Sequence, residues 1–227
     1  MIVQWAAIVT AAGQGRRFGQ PKQLVNLAGR PVLAWSLHLF ASMAEVREIV
    51  VVVQPQVVEK VKPLVAEIFL GRRAKVVAGG ATRQESVHAG LRALSEPPLD
   101  GVLVHDAVRP FLRADDVRGG MRLVRPGRAA MLAAPIVDTV KMVDKEGRVV
   151  RTLDRSSLWA AQTPQFATLA DMRRAYLEAE RAAFTATDDA ALLAQSGVEI
   201  VVAPSHAENF KITTPGDLAR AEALARS

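Results

Sequence analysis

The sequence predicts an α/β fold, with a Rossmann-like, mostly parallel sheet that helices cover on both faces. Short continuous apolar runs recur along the chain, and amphipathic stretches alternate with them. Such runs are typical of parallel strands buried on both faces, and the alternation is typical of sheets whose ligands bind at the carboxyl ends of the strands. Because 227 residues without an internal repeat or a linker suit one core, we expect a single domain over residues 1–227.

The apolar runs predict six strands, at residues 5–11, 48–53, 74–78, 101–105, 129–136 and 198–203. The amphipathic stretches predict seven helices, at residues 31–43, 55–69, 84–94, 114–124, 168–183, 188–196 and 215–226. The last helix has a typical start, with Thr214 as N-cap, Pro215 at the first helical position and Asp217 in the first turn. The first run also has the length of a signal-sequence core, but no basic segment precedes it, so we expect a buried strand.

One segment departs from the alternation of strands and helices. Residues 139–154 contain two short β-rich runs around the turn Asp144-Lys145-Glu146-Gly147, which predicts a hairpin. The segment is too polar for the centre of a sheet. We therefore expect a projecting β-hairpin arm inserted at about residues 137–158.

The composition excludes several classes of function. The net charge is +6, from 29 Lys and Arg against 23 Asp and Glu, which suits an anionic partner but does not distinguish a nucleic acid from a small phosphate ester. The chain contains no cysteine, which excludes disulfides and thiol nucleophiles and fits a reducing compartment, the cytoplasm. No apolar run reaches 18 residues, so we expect no membrane partner.

A glycine-rich turn, residues 11–23, follows the first strand directly. Glycines there let backbone N–H groups approach a phosphate chain closely. The dinucleotide-binding pattern fails because its third glycine comes one place late and no acid occurs before Glu45, and the Gly-Lys pair of the phosphate-binding loop is missing. What remains predicts a triphosphate site, with a solvated basic loop as the alternative. The cations of this acid-free segment are Arg16, Arg17, Lys22 and Arg30.

The run A-A-G-x-G-x-R followed by P-K-Q resembles the signature loop of sugar-phosphate nucleotidylyltransferases. Together with the blocks that follow in order, the pattern resembles the 2-C-methyl-D-erythritol 4-phosphate cytidylyltransferase family of the non-mevalonate isoprenoid pathway, from residue 11 to about residue 222. The further blocks are GGATRQESV at 79–87, VHDAVRP at 104–110, DTVK at 138–141, DRSSLW at 154–159, QTPQ at 162–165, TDD at 187–189 and NFKIT at 209–213.

This resemblance implies transfer of CMP from CTP to methylerythritol phosphate, with Mg²⁺ as cofactor, and a homodimer formed through the β-arm. It makes Arg17 and Lys22 the catalytic residues, which bridge the α-phosphate and the leaving pyrophosphate. The implied nucleotide-binding residues are Ala11, Ala12, Gly13, Gly15, Lys22, Gly80, Ser86, Asp106 and Ala107. The implied substrate-binding residues are Asp106, Arg109, Thr139, Arg155, Thr163 and Lys211.

Three of these substrate residues, Thr139, Arg155 and Thr163, are expected on or beside the arm and, by the resemblance, in the neighbouring subunit's site. Asp106 is a candidate ligand of Mg²⁺ or of a substrate hydroxyl, with a turn cap as the structural alternative. Ser86 is read either as a contact to cytosine or as an ordinary first-turn helix residue. The pair Thr187-Asp188 is read mainly as a helix cap, and Trp159 as a packing residue.

The implied chemistry needs no general base, since a phosphate monoester has its second pKa at about 6 and is largely dianionic near neutral pH. No histidine is therefore assigned a role, and catalysis rests on positioning and electrostatics. Two features depart from the family pattern: only four residues separate Arg17 from Lys22, and Ala81 replaces an acid found in some members. The alternatives are a cytidylyltransferase for another polyol phosphate, such as ribitol 5-phosphate, and a basic nucleic-acid-binding module, against which the lack of any nucleic-acid motif argues.

Overall fold

The computed structural model describes residues 4–13, 21–95 and 99–226. Its strands are β1 (Trp5–Ala11), β2 (Asn26–Leu27), β3 (Arg30–Pro31), β4 (Val46–Val53), β5 (Arg73–Ala78), β6 (Gly101–Asp106), β7 (Arg128–Pro135), β8 (Lys141–Val143), β9 (Val149–Thr152), β10 (Trp159–Thr168) and β11 (Glu199–Pro204). Its helices are α1 (Val32–Ser42), α2 (Val58–Ile68), α3 (Arg83–Ala93), α4 (Ala114–Leu123), α5 (Leu169–Arg181), α6 (Asp189–Gln195) and α7 (Pro215–Arg226). Short 3₁₀ turns cover Lys22–Leu24, Pro55–Val57 and Arg155–Ser157.

Seven strands form the central sheet, in the order β11-β7-β10-β6-β1-β4-β5. Within this sheet β10 runs antiparallel to both of its neighbours, and the other pairs are parallel. All six predicted strands and all seven predicted helices are present, with ends that differ by at most three residues. The predicted mostly parallel α/β sheet is therefore confirmed.

The seventh strand, β10, was not predicted. Its sequence includes Pro164 and four glutamine or threonine side chains, and it lacks both strand alternation and a continuous apolar run. Its pairing with β7 is interrupted between Ala161 and Gln165, where the register shifts. Strand β10 therefore forms because it pairs with β6 and β7, and its own sequence pattern does not predict a strand. Trp159 at its start is 38% exposed in the single chain, and its packing role stays a prediction.

The core lies on both faces of the sheet because side chains of β1 alternate between the faces. Ala7 and Val9 pack with α1, α2 and α4, whereas Ala6 and Ile8 pack with α3, α5 and α6. This layering fixes the loops at the carboxyl ends of the strands. None of the helices in the described ranges is both long and apolar enough to cross a membrane.

The predicted hairpin is also confirmed. Strands β8 and β9 pair antiparallel, separately from the central sheet, and the turn at Gly147 has a positive φ of 81°. Four apolar side chains of strands β8 and β9 are exposed, and they are Met142, Val143, Val149 and Val150.

Candidate active site

The loops after β1, β4 and β5 meet at one edge of the sheet, where Gly79 lets them approach closely. Its N–H donates to the carbonyl of Val53 at 2.8 Å. A Cβ atom at Gly79 would lie 2.6 Å from Ser86 Oγ and 2.7 Å from the Cβ of Ala12. A glycine is therefore required here for the first glycine-rich turn and the start of α3 to pack against each other.

A cavity of about 390 Å³ opens between these loops. One wall is the end of β1, and the residue that holds it is Gln54, whose buried side-chain Nε2 donates to the carbonyl of Gly13 at 3.2 Å. No motif in the sequence singles out Gln54. The lining residues are Ala12, Gly13, Gln54, Pro55, Gln56, Gly80, Ala81, Thr82 and Arg83.

The opposite wall is the start of α3, which is tightly capped. Thr82 accepts a hydrogen bond from the N–H of Glu85 at 3.1 Å, and the Glu85 carboxylate accepts from the N–H of Ala81 at 2.7 Å. Ser86 is buried and donates its hydroxyl to the carbonyl of Thr82 at 2.8 Å. Ser86 is thus a first-turn helix residue, and its contact with a nucleotide stays a prediction.

Asp106 ends β6 and is surrounded by cations. Its Oδ2 lies 2.8 Å from Lys211 Nζ and 3.7 Å from Arg109 Nε, while its Oδ1 lies 3.3 Å from Arg83 Nε and 3.3 Å from Thr10 Oγ1. Burial raises the pKa of Asp106, but the charges of Lys211, Arg83 and Arg109 outweigh it and hold this pKa well below its usual range. Asp106 is therefore a fixed anion with three cations around it. The structure brings together three predicted residues here and adds Arg83.

Thr163 and His105 support this cluster from behind. The Asp106 N–H donates to Thr163 Oγ1 at 3.0 Å, and Thr163 Oγ1 lies 3.1 Å from His105 Nδ1, whose ring Nε2 lies 3.2 Å from the carbonyl of Arg109. Because a carbonyl only accepts, Nε2 carries the proton and the threonine hydroxyl donates to Nδ1. Burial lowers the pKa of His105 to about 4, so the ring is neutral near pH 7.

Thr163 lies beside the arm, as the sequence predicts. It is buried in β10 and bonds to Asp106 of its own chain, because the shift in register turns it toward β6. Its contribution to a neighbouring subunit's site stays a prediction. His105, to which no role was assigned, fixes the backbone at both ends of the segment 106–109.

The segment that carries Lys211 is fixed through a buried asparagine. Asn209 Nδ2 donates to Gln162 Oε1 at 2.8 Å and to the carbonyl of Thr163 at 3.0 Å. The carbonyl of Asn209 accepts from Arg109 Nη1 at 2.8 Å. Lys211 therefore reaches Asp106 from a loop that the rest of the site holds in place.

Several predicted residues are not brought to this cluster. Thr139 and Arg155 are exposed on the arm, where Arg155 Nη1 donates to the carbonyl of Val137 at 2.5 Å. Arg30 stacks its guanidinium over the ring of Trp35, 3.8 Å from the centroid, and lines a different cavity, so its expected role at the triphosphate is wrong. Gly15, Arg16 and Arg17 lie outside the described residues.

The structure also gives the positions of Lys22, Ala107 and Asp188. Lys22 begins the short 3₁₀ turn that follows the glycine-rich segment. Ala107 is fully buried, and its N–H already donates to the carbonyl of Thr10 at 3.0 Å, so this amide is occupied. Asp188 accepts from the N–H of Ala191 at 3.0 Å, which confirms its interpretation as the cap of α6.

A mostly parallel sheet with a glycine-bounded cavity beside this ring of cations is the architecture of a nucleotidyltransferase. The family model described as IspD: 2-C-methyl-D-erythritol 4-phosphate cytidylyltransferase matches residues 5–227, and the chain belongs to this family. It is 39% identical over 224 residues to the 2-C-methyl-D-erythritol 4-phosphate cytidylyltransferase of Halalkalibacterium halodurans, covering 98% of this chain and 97% of the relative. It is 41% identical over 221 residues to the enzyme of that name from Symbiobacterium thermophilum, covering 96% and 92%.

Solved structures give the same result. The 2-C-methyl-D-erythritol 4-phosphate cytidylyltransferase of Thermus thermophilus is similar with a TM-score of 0.78 and 34% identity, covering 99% of this chain and 100% of the other. The 4-diphosphocytidyl-2C-methyl-D-erythritol synthase of Anaerococcus prevotii has a TM-score of 0.87 and 29% identity, with full coverage of both chains. The family resemblance drawn from the motifs is therefore confirmed over nearly the whole chain.

Proposed function

We propose that the protein transfers CMP from CTP to the phosphate of 2-C-methyl-D-erythritol 4-phosphate and releases pyrophosphate, as a step of non-mevalonate isoprenoid biosynthesis. Family membership and the names of the relatives support this reaction. The observation that carries it is the position of the Asp106, Arg109 and Lys211 cluster, at the same sheet edge as the cavity between the glycine loops. Two anionic substrates require such a pair of adjacent sites.

In the proposed reaction, a phosphate oxygen of the polyol phosphate forms a bond to the α-phosphorus of CTP. The bond from that phosphorus to the bridging oxygen breaks, and pyrophosphate leaves with the electron pair. The attacking phosphate is already a dianion, because its second pKa is about 6. The protein therefore has to align two anions and neutralise the charge that develops on the leaving group.

On the nucleotide side we assign the cavity walls to CTP. Gly13, Ala12 and Gly80 line it, and they leave room for a base and a phosphate chain to approach the backbone. Ala11 supports this wall from the end of β1, and Ser86 supports the opposite wall from α3. Gly15 completes the proposed set, whereas the occupied amide of Ala107 removes that N–H from it.

On the other side we assign the polyol phosphate to Lys211 and Arg109. Both cations contact Asp106 Oδ2, and Lys211 remains 38% exposed, so a phosphate dianion can compete for it. Asp106 then accepts a hydrogen bond from a polyol hydroxyl. Thr163, buried behind Asp106, acts on the substrate through the Asp106 backbone.

Magnesium, which the resemblance implies, is assigned to the CTP phosphates. Among residues 4–13, 21–95 and 99–226, no three His, Asp or Glu side chains gather in a way that could hold a metal ion. Mg²⁺ often binds through one or two carboxylates and substrate phosphates, which leaves Asp106 as its proposed protein ligand. The three cations around that carboxylate oppose this role, so the residues present do not form a dedicated metal site.

The arm supports a proposed homodimer with composite sites. Val143, Val149 and Val150 are 52–62% exposed in the single chain, and burial of such side chains stabilises an interface. Thr139 and Arg155 lie on the same arm and are proposed to reach the partner's site. No nucleic-acid partner is proposed, and the cytoplasm is the proposed location because the chain contains no cysteine.

Mixing two inactive variants tests the composite site. Arg155→Ala removes the arm contribution and Lys22→Ala removes the catalytic cation, so a heterodimer of the two has one intact site. We expect co-expressed, tag-selected heterodimers to recover a substantial part of wild-type turnover. Heterodimers that stay inactive would show that each chain builds its own site.

Pyrophosphate release tests the proposed reaction directly. We expect turnover with CTP and methylerythritol phosphate, little with ATP, GTP or UTP, and little with ribitol 5-phosphate. Lys22→Ala and Arg17→Ala should each lower kcat by about 10²–10³-fold with smaller changes in CTP binding, because their charge acts mainly on the departing group. Faster turnover with ribitol 5-phosphate would assign the chain the alternative substrate. Salt-sensitive polynucleotide binding without any turnover would indicate a nucleic-acid-binding module instead.

A further inference from the structure

A buried chain of polar groups leads from α5 to the candidate active site. The hydroxyl of Tyr176 donates to Asp189 Oδ1 at 2.5 Å, and Asp189 Oδ2 accepts from Arg83 Nη2 at 2.7 Å. Arg83 Nε then lies 3.3 Å from Asp106 Oδ1. Asp189 is completely buried and belongs to α6, outside the cavity that Arg83 lines.

Arg83 stands between the two proposed substrate sites. It is the first residue of α3 and lines the cavity proposed for CTP, while its guanidinium meets the Oδ1 side of Asp106. The Oδ2 side of the same carboxylate faces Lys211 and Arg109. The rotation of the Asp106 carboxylate therefore depends on Arg83 from one side and on Lys211 and Arg109 from the other.

Asp189 is what determines the position of Arg83. A guanidinium is a planar fork that pairs with carboxylates in a defined direction, and a long arginine side chain otherwise samples many rotamers. The bond to Asp189 is the shorter of the two that Arg83 makes with carboxylates. Burial lowers the pKa of Arg83, but the charges of Asp189 and Asp106 outweigh burial and raise this pKa above its usual value. The guanidinium therefore stays charged.

We infer that Asp189 is a positioning residue for the proposed reaction: it fixes Arg83, and through Arg83 it sets the orientation of Asp106 toward Lys211 and Arg109. This inference rests on the proposed role of Asp106 at the polyol phosphate. It assigns α6 and the hydroxyl of Tyr176 to the support of that site. Asp189 itself touches no substrate.

A purely structural role is the competing explanation, and a second buried carboxylate provides the control. Glu48 is 1% exposed and pairs with Lys75 Nζ at 2.9 Å and with the N–H of Ser95 at 3.1 Å. It lies near the amino end of β4, away from the carboxyl ends of the strands where the cavity opens. Glu48→Gln and Asp189→Asn therefore remove the same kind of buried charge, one far from the site and one behind it.

The first experiment compares these two variants by steady-state kinetics with CTP and methylerythritol phosphate. Wild-type turnover is measured first. Its absence would reject the proposed function, but not the inference that Asp189 positions Arg83 and Asp106. Given turnover, we expect Asp189→Asn to raise the KM for the polyol phosphate about tenfold or more and to lower kcat, with the KM for CTP changed less than threefold. Glu48→Gln should leave all three parameters within about twofold. Equal behaviour of the two variants would overturn the inference.

A double variant tests whether Asp189 acts through Arg83. If it does, Arg83→Gln combined with Asp189→Asn should have the kinetics of Arg83→Gln alone, because the second change removes a contact that no longer exists. Independent effects that multiply would contradict the inference. Asp189→Glu, which keeps the charge, should recover part of the activity. If Asp189→Asn fails to fold, Tyr176→Phe replaces it in the test, and we expect this variant to raise the KM for the polyol phosphate by a smaller factor.

A readout without turnover completes the test. In a crystal structure of the Asp189→Asn or Tyr176→Phe protein, we expect Arg83 to leave its present position and the Asp106 carboxylate to rotate away from Lys211. An unchanged arrangement of Arg83, Asp106 and Lys211 would overturn the inference, whatever the activity of the variant.

Discussion

The neutral, fully buried His105 predicts a specific dependence of stability on pH. Its pKa in the folded protein is about 4, because burial disfavours the imidazolium, whereas an exposed histidine titrates at about 6.5. Between these values the unfolded chain binds a proton at this residue and the folded chain does not. The free energy of unfolding must therefore rise with pH through this window and fall as the pH drops from about 6.5 toward 4.

The size of this effect follows from the two pKa values. A difference of about 2.5 units corresponds to about 3 kcal/mol below both values, and about 2 kcal/mol of it is lost between about pH 7.5 and pH 5. His105→Gln keeps an N–H that can donate to the carbonyl of Arg109 and an oxygen that can accept from Thr163, but it does not titrate. We expect the variant to lose about 2 kcal/mol less than the wild type over this pH range.

Urea unfolding at a series of pH values measures this difference. The neighbouring Asp106 has its pKa held well below its usual range, so its contribution to stability is lost only at lower pH and cancels between the two proteins. The free energy of unfolding of wild type and His105→Gln is compared at each pH. Parallel pH profiles for the two proteins would refute a buried neutral His105 and the chain of hydrogen bonds built on it.

Three further predictions concern stability and packing. Gly119→Ala should raise the free energy of unfolding by about 0.5–1 kcal/mol, since a Cβ there meets nothing within 4 Å. Gly120→Ala should lower the free energy of unfolding, because its Cβ would overlap the ring of Phe166. Thermal unfolding of the two variants should therefore shift in opposite directions. Asp217→Asn should lower stability by about 1 kcal/mol in urea unfolding, because the Asp217 carboxylate accepts two backbone N–H bonds at the start of α7. Gly79→Ala should raise the KM for CTP at least about tenfold with a smaller loss of kcat, because its Cβ would lie 2.6 Å from a serine oxygen of α3 and push the cavity walls apart.

The sequence predicted the parts of the fold and the site that depend on local pattern. Strand β6 is a continuous apolar run that ends in Asp106, and residues at the carboxyl ends of parallel strands share one sheet edge. The glycine-rich turn and the pair Gly79-Gly80 were found for the same reason. Such glycines indicate a close approach of the backbone from the sequence of a few neighbouring residues alone.

The missed residues depend on partners far away in the sequence. Gln54 bonds to a carbonyl 41 residues earlier, His105 to a threonine 58 residues later and Arg83 to a carboxylate 106 residues later. No local period or spacing contains such pairs, and each residue type is ordinary at its position. The same holds for β10, which becomes a strand because β6 and β7 lie on either side of it.

Thr163 illustrates both situations in one residue. The motif around it predicts a residue on or beside the arm that, by the family resemblance, contributes to the neighbouring subunit's site. The break in the pairing of β10 with β7 turns this threonine to Asp106. Recognising a motif therefore identified the residue, and only the three-dimensional structure identified its partner.

The central claim is that two anions occupy adjacent positions, one between the glycine loops and one at the cluster around Asp106. A crystal structure with a non-hydrolysable CTP analogue, Mg²⁺ and methylerythritol phosphate tests it most directly. We predict the nucleotide in the cavity between Gly13 and Gly80, with the polyol phosphate within hydrogen-bond distance of Lys211 and Arg109. A nucleotide bound elsewhere, or a phosphate that leaves the contacts of Asp106 with both cations undisturbed, would contradict the account.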